Sequence, residues 1–158
     1  MKFDKAYILA EKIILKLSPY CHKIAITGDL RRKKEDVNEI ELLCLFKTKD
    51  FFQLTKKIEE INWIRVKGKI GITKTKFSHF EGIDITLIPS SKEIWALDLL
   101  KTTGPESFYK FLIKKIKSNG FEIDGKRVYR KNERVKIEKE EDLFHIAGTE
   151  WVPPEKRR

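Results

Sequence analysis

Residues 39 to 46 read Glu-Ile-Glu-Leu-Leu-Cys-Leu-Phe, a stretch that allows few folds. From Ile40 to Phe46 the pattern predicts a strand with apolar residues on both faces, as expected at a central position in a sheet. At its head, Glu39 and Glu41 stand two residues apart, so on a strand they project from one face while Ile40 and Leu42 turn to the other. The chain must therefore supply neighbouring strands and a covering layer, and it must account for two acids side by side.

The neighbours can be read from the pattern. Tyr7, Ile8, Ala10, Ile14 and Leu17 recur near a helical repeat over residues 4 to 17, and Ser18-Pro19 stops that helix. Strands are predicted at Ile24 to Thr27, Trp63 to Val66, Ile70 to Thr75 and Gly82 to Ile88, the last ended by Pro89-Ser90-Ser91. Between them, Gly28-Asp29 reads as a turn into a short helix beginning Leu30-Arg31-Arg32, and Lys49 to Ile61 returns to helical spacing. The first half is thus an α+β lobe, a sheet of about four or five strands with two helices over one face.

After Ser91 the character changes. Ile94 to Leu100 and Ser107 to Lys117 read as helices, Asn119-Gly120 ends the second, and Phe121 to Tyr129 reads as a hairpin signalled by Asp124-Gly125. Glu140 to Ala147 forms a last helix before Gly148. The boundary falls near residues 89 to 93, dividing the chain into 1–90 and 91–158, the second lobe small and mainly helical with a hairpin.

Charge narrows the partners. Lys and Arg outnumber Asp and Glu by 34 to 24, a formal +10, which favours a polyanion through counterion release. Nucleic acid is the leading reading; a solvated surface or a membrane surface are the alternatives, and no long amphipathic basic helix favours the membrane. Cys21 and Cys44 lie in apolar surroundings and read as core thiols of a reducing compartment. Asp4, Lys5, Glu11, Lys12 and Lys16 interrupt any signal-peptide run, so the expected location is cytoplasmic.

Paired strand carboxylates can bridge divalent cations, since Mg2+ prefers hard oxygen ligands and two such ions can activate a hydroxyl and stabilise a leaving phosphate. Asp84, in the apolar run Gly82 to Ile88, would be the third acid; alternatively it is a strand-end acid facing solvent. Gly28 leaves room for an anion at a helix start, and Arg32 could add a bidentate phosphate contact. The plainer reading makes Asp29 an N-cap and Arg31, Arg32, Lys33 and Lys34 a solvated run.

Gly28-Asp29-Leu30-Arg31-Arg32, Glu39-Ile40-Glu41 and Ile83-Asp84-Ile85 together resemble the palm of family X DNA polymerases, whose pattern is Gly-Ser-x-Arg-Arg, Asp-x-Asp and a later single Asp. The likeness continues through Thr103-Gly104, Asn119-Gly120-Phe121-Glu122-Ile123, Glu140 to Phe144 and Trp151 to Glu155. It covers nearly the whole chain from about residue 20, and it is to short stand-alone members with a palm and a carboxyl-terminal lobe, without the lyase domain or helix-hairpin-helix region.

The resemblance implies a nucleotidyltransferase palm and a thumb-like lobe. It implies a metal-dependent DNA polymerase adding a nucleotide to a primer 3′-hydroxyl, in short-gap repair synthesis for example. Glu39, Glu41 and Asp84 would hold two divalent ions, Mg2+ or Mn2+, with Asp84 drawing the proton from the hydroxyl. Gly28, Asp29 and Arg32 would lie at the β and γ phosphates of a nucleoside triphosphate, and Thr103 and Gly104 at its sugar edge.

The chain departs from the family at four places. Glu39 and Glu41 are one methylene longer than Asp, and a displacement of about 1 Å can cost on the order of a hundredfold in rate, so Mn2+, less strict in geometry, is expected to serve better. Asp29 stands for a phosphate-binding serine and repels phosphate unless it turns away or is neutralised by Arg31 or Arg32. Lys101-Thr102 replaces two aromatics under the sugar, which predicts weak discrimination between ribo- and deoxyribonucleotides. Asn38 replaces a glycine. Two readings remain: a minimal template-directed polymerase, and a DNA-binding module derived from one that has lost catalysis.

Arg65, Lys67 and Lys69 alternate along a strand and Lys110, Lys114 and Lys117 recur at helical spacing, stripes that suit a DNA primer-template or gapped duplex. Lys126, Arg127, Arg130, Lys131 and Arg134 add a hairpin-borne cluster. His22, His79 and His145 are too dispersed for a metal site. Trp63 and Trp95 read as core, Trp151 as an anchor for the tail, and Phe51, Phe52, Phe108 and Phe111 as helix faces. A monomer is expected.

Overall fold

The computed structural model describes residues 1–60, 64–66, 74–79 and 81–158. Helix α1 (Phe3–Leu17) leads through a tight 3₁₀ turn at Ser18–Tyr20 into β1 (Cys21–Ile26), then α2 (Gly28–Arg31), β2 (Glu39–Phe46), α3 (Phe51–Glu59), β3 (Ile64–Val66), β4 (Thr75–His79) and β5 (Asp84–Pro89). Helices α4 (Trp95–Thr103) and α5 (Glu106–Ser118) follow, then β6 (Glu122–Asp124), β7 (Arg127–Arg130), β8 (Glu133–Val135) and α6 (Glu140–Ile146). The fold class is α+β, as expected, and the chain divides into two compact units, Met1–Ser90 and Ser91–Arg158.

In the first unit the strands form one mixed sheet in the order β1-β2-β5-β4-β3. The apolar run of β2 takes a central place, antiparallel to β1 and parallel to β5, which in turn pairs antiparallel with β4. Ile40, Leu42, Cys44, Ile85, Leu87 and Phe77 face a core completed by α1 and by Leu54 and Ile58 of α3. Asp50 starts α3 by accepting the Gln53 N–H at 3.2 Å, a side-chain N-cap.

Several expectations shift. The buried stripe of α1 is Ala6, Leu9, Ala10, Ile13 and Leu17, whereas Tyr7 and Ile8 are exposed; two alanines let the helix approach the sheet closely, and small residues are easily outweighed when a stripe is sought among bulky ones. Helix α2 begins at Gly28 with Thr27 as its N-cap, so Asp29 is not the cap. Strand β5 runs through Pro89, opposite Cys44, and the Cys44 carbonyl takes the Ser90 N–H at 2.8 Å, the ordinary parallel ladder bond, so the missing proline N–H costs that pairing nothing. The strand expected over 70–75 lies up to residue 73 outside the described residues, as do Trp63, Lys67 and Lys69; the strand that is described starts at Thr75.

In the second unit, Ala96, Leu97 and Leu100 of α4, Phe108, Leu112 and Ile116 of α5, and Leu143 and Phe144 of α6 close a core with Val128 of β7. The expected hairpin is a three-stranded sheet, β6-β7-β8. Its turns are two-residue loops whose central pairs, Gly125-Lys126 and Lys131-Asn132, all have positive φ between 50° and 64°, the backbone that suits strand twist. The tail is held by Arg157, whose guanidinium meets the Glu140 carboxylate at 2.6 and 3.1 Å and lies among the rings of Phe108, Phe144 and Trp151.

Candidate active site

Register brings the three acids together. Along the parallel pair β2–β5, Glu39 stands opposite Asp84 and Glu41 opposite Thr86; β4 then sets Ser78 beside Asp84 and Lys76 beside Thr86. Partners in register share a face of the sheet. Glu39, Glu41, Asp84, Thr86, Ser78 and Lys76 therefore form one polar surface, with the hydrophobic core on the other side.

The acids on this surface are half-buried and engaged. Oε2 of Glu39 accepts the Thr86 hydroxyl at 2.7 Å and meets the Lys76 ammonium at 3.1 Å. Oδ1 of Asp84 accepts the Ser78 hydroxyl at 3.1 Å. Glu41 instead lies against the turn between β1 and α2: a Cβ placed on Gly28 would fall 1.9 Å from Glu41 Oε2. With φ at +60°, glycine suits the conformation there, and any side chain would also have to push the Glu41 carboxylate aside. The turn is tied down by Thr27, whose N–H and hydroxyl both donate to the Glu41 carbonyl, at 2.9 and 3.3 Å.

Two features bear on phosphate binding at this turn. Helix α2 has only four residues, so it adds little of the dipole that a longer helix offers an anion. The Asp29 carboxylate is paired with the Arg32 guanidinium, which is one of the two ways expected for neutralising an acid in that place.

The charges settle unevenly. Burial pushes the Glu39 carboxyl up, but the Thr86 hydroxyl and the Lys76 ammonium outweigh it and hold Glu39 below the usual glutamate range. Burial pushes Glu41 up, repulsion from Glu39 and more weakly from Asp29 adds to it, and Lys74 and Arg32 only partly oppose the rise. Lys76 is raised in turn, chiefly by its hydrogen bond to Glu39.

An all-oxygen donor set on one face suits Mg2+ or Mn2+, and a crowded, raised Glu41 is the condition that a divalent cation relieves. In type and placement the residues fit. In their present directions Glu39 is paired with Lys76 and Asp84 accepts the Ser78 hydroxyl, and among the described residues no three acids, histidines or cysteines converge as a metal cluster.

Lys76, Ser78 and Thr86 were not foreseen. Their signal was present in Thr75-Lys76-Phe77-Ser78-His79, which alternates polar with apolar around the buried Phe77; setting the strand at residues 70 to 75 hid it.

Of the remaining candidates, Arg65 lies on β3 in register with Ser78, and the other described ones lie in the second unit. In the second unit Thr103 and Gly104 are both buried, so the threonine side chain presents no open surface to a nucleotide. Lys110, Lys114 and Lys117 lie exposed along α5, opposite its buried Phe108, Leu112 and Ile116, and Lys110 pairs with Glu106 at 2.7 Å. Arg127 and Arg134 lie close enough to Glu93 to help hold its carboxyl low, after its hydrogen bonds to its own backbone and to Ser91. Among the described residues no helix is long and apolar enough to cross a membrane.

The DNA polymerase beta thumb family matches residues 98–158, which lie wholly within the second unit. The match relates the chain to family X DNA polymerases and points to a polymerase-related, DNA-binding protein. No curated protein matches the chain.

Proposed function

We propose that the chain is a minimal template-directed nucleotidyltransferase that adds a nucleotide to a DNA primer 3′-hydroxyl. The observation that carries it is the register of Glu39 with Asp84 on adjacent parallel strands, Glu41 on the same face, in a chain whose residues 98–158 match a polymerase thumb. Two divalent cations held by Glu39, Glu41 and Asp84 would supply charge neutralisation at the transferred phosphate and a lowered pKa at the primer hydroxyl.

The chain's own groups do the rest. Asp84 accepts the hydroxyl proton, the Ser78 hydroxyl orienting its carboxylate. Gly28 lets the backbone approach the β and γ phosphates, and Arg32, once turned from Asp29, adds a bidentate contact. The basic stripe on α5 holds the duplex by its phosphates.

One observation favours a second reading, a DNA-binding module without catalysis. Arg32 is already paired with Asp29, and Glu39 with Lys76, so the phosphate and cation positions are both satisfied internally.

Primer extension on a one-nucleotide-gapped duplex, with Mg2+ or Mn2+, separates the two. The expected result is extension by the wild type, better with Mn2+, and none by the Glu41→Ala, Asp84→Ala double variant. Salt-sensitive DNA binding by both with extension by neither would sink the enzymatic reading and establish the module.

A further inference from the structure

We propose that Lys76 is a positioning residue for the carboxylate face: its ammonium group supplies the positive charge Glu39 requires, and it withdraws into solvent when a divalent cation takes the carboxylates over. This rests on the two-cation reading above and adds a residue that no motif assigns.

The geometry points to it directly. On β4, Thr75, Phe77 and His79 are buried, which turns Lys76 and Ser78 to the acid face. Lys76 stands beside Thr86 and Thr86 beside Glu41. The lysine nonetheless reaches diagonally to Glu39, meeting at 3.1 Å the same oxygen that accepts the Thr86 hydroxyl at 2.7 Å. The charge is thus delivered to the one acid of the three that faces both neighbours, and Glu39 is held pointing along the sheet.

The contact is also built to be given up. Lys76 is 48% exposed and Glu39 34%, and an ion pair so open to water is weak. An ammonium group is a compact, strongly hydrated charge on a flexible stem, so water can take it back with little loss. A guanidinium in its place would grip the carboxylate through two parallel bonds and resist displacement. Competition has a sign that mere support of the sheet lacks: removing the ammonium must tighten cation binding, and strengthening the grip must weaken it.

The test is Mn2+ binding to the full chain, read as loss of the free-Mn2+ electron paramagnetic resonance signal. Lys76→Met is expected to bind Mn2+ roughly three- to ten-fold more tightly than wild type, Lys76→Arg more weakly than wild type, and Lys74→Met to change affinity less than Lys76→Met. Binding that the Glu41→Ala, Asp84→Ala variant abolishes but that Lys76→Met leaves unchanged would overturn the role of Lys76 and leave the two-cation reading standing. Equal gains from Lys74→Met and Lys76→Met would do the same, since they would reduce Lys76 to background charge. No Mn2+ binding by wild type and Lys76→Met alike would overturn both.

Discussion

Glu41 is held in the fold at a disadvantage that pH can expose. Burial and its acidic neighbours raise its carboxyl above the ordinary 4.5, so the folded chain holds that proton more tightly than the unfolded chain does. Stability linked to Glu41 is therefore present at acid pH and lost as pH rises from 4.5 through the raised value. Glu39 acts in the opposite direction: its carboxyl is lowered, and its contribution, present above 4.5, is lost as pH falls through the folded value. Glu41→Gln removes the first effect together with the repulsion between Glu41 and Glu39. Without divalent cations the variant should be more stable than wild type near pH 7, and the difference should shrink toward pH 4; urea unfolding at the two pH values reads it, and a wild type equally stable at neutral pH would refute the account. The acid pair itself was legible in Glu39-Ile40-Glu41, because a strand's period fixes which residues share a face. What neutralises it was not, since Lys76 comes from a strand that meets β2 only through β5. Arg157 makes the same point: in Lys156-Arg157-Arg158 nothing marks the middle residue as the buried one, and only packing against Phe108, Phe144 and Trp151 does so.

Among elements, those with a strong period were found and those defined by a partner were missed. Strand β2 announced itself, and the helices from Trp95 to Ser118 were bounded within a few residues. Strand β8 was not seen, because Glu133-Arg134-Val135 has too few apolar residues to alternate; it is a strand because β7 pairs with it, Val128 opposite Val135. The loop between them is no better marked. Lys131 and Asn132 both take positive φ, 50° and 64°, and a lysine there is strained where Asn-Gly would not be. Replacing the pair by Asn-Gly should stabilise the second unit by about 1 kcal/mol, a rise in its melting temperature of roughly 4 to 8 °C. Thermal unfolding followed by circular dichroism checks it, and a lower melting temperature would mean that Lys131 and Asn132 make contacts worth more than the strain.

For the whole molecule, the excess of 34 basic over 24 acidic residues matters through where it is spent. Each of the pairs Lys76 with Glu39, Arg32 with Asp29, Lys126 with Asp98 and Arg157 with Glu140 takes one base and one acid, so together they leave the excess as it was. The formal +10 is a sum over the whole chain and does not locate the exposed cations, so it is a poor measure of the binding surface. The α5 stripe is a better one, because Lys110, Lys114 and Lys117 stand exposed on a helix of the unit that matches a polymerase thumb. Each phosphate neutralised on duplex DNA contributes about −0.9 to the slope of log affinity against log salt. Changing the three lysines to glutamine should therefore flatten that slope by about 2 to 3, less if Lys110 stays with Glu106, and weaken binding to a similar degree whatever the DNA sequence. Fluorescence anisotropy with a labelled gapped duplex, titrated at several salt concentrations, measures it. An unchanged slope would make the stripe a solubilising face and move the search for the DNA contacts to the Arg127 and Arg134 side of the β6-β7-β8 sheet, where the same substitution and the same slope can be applied.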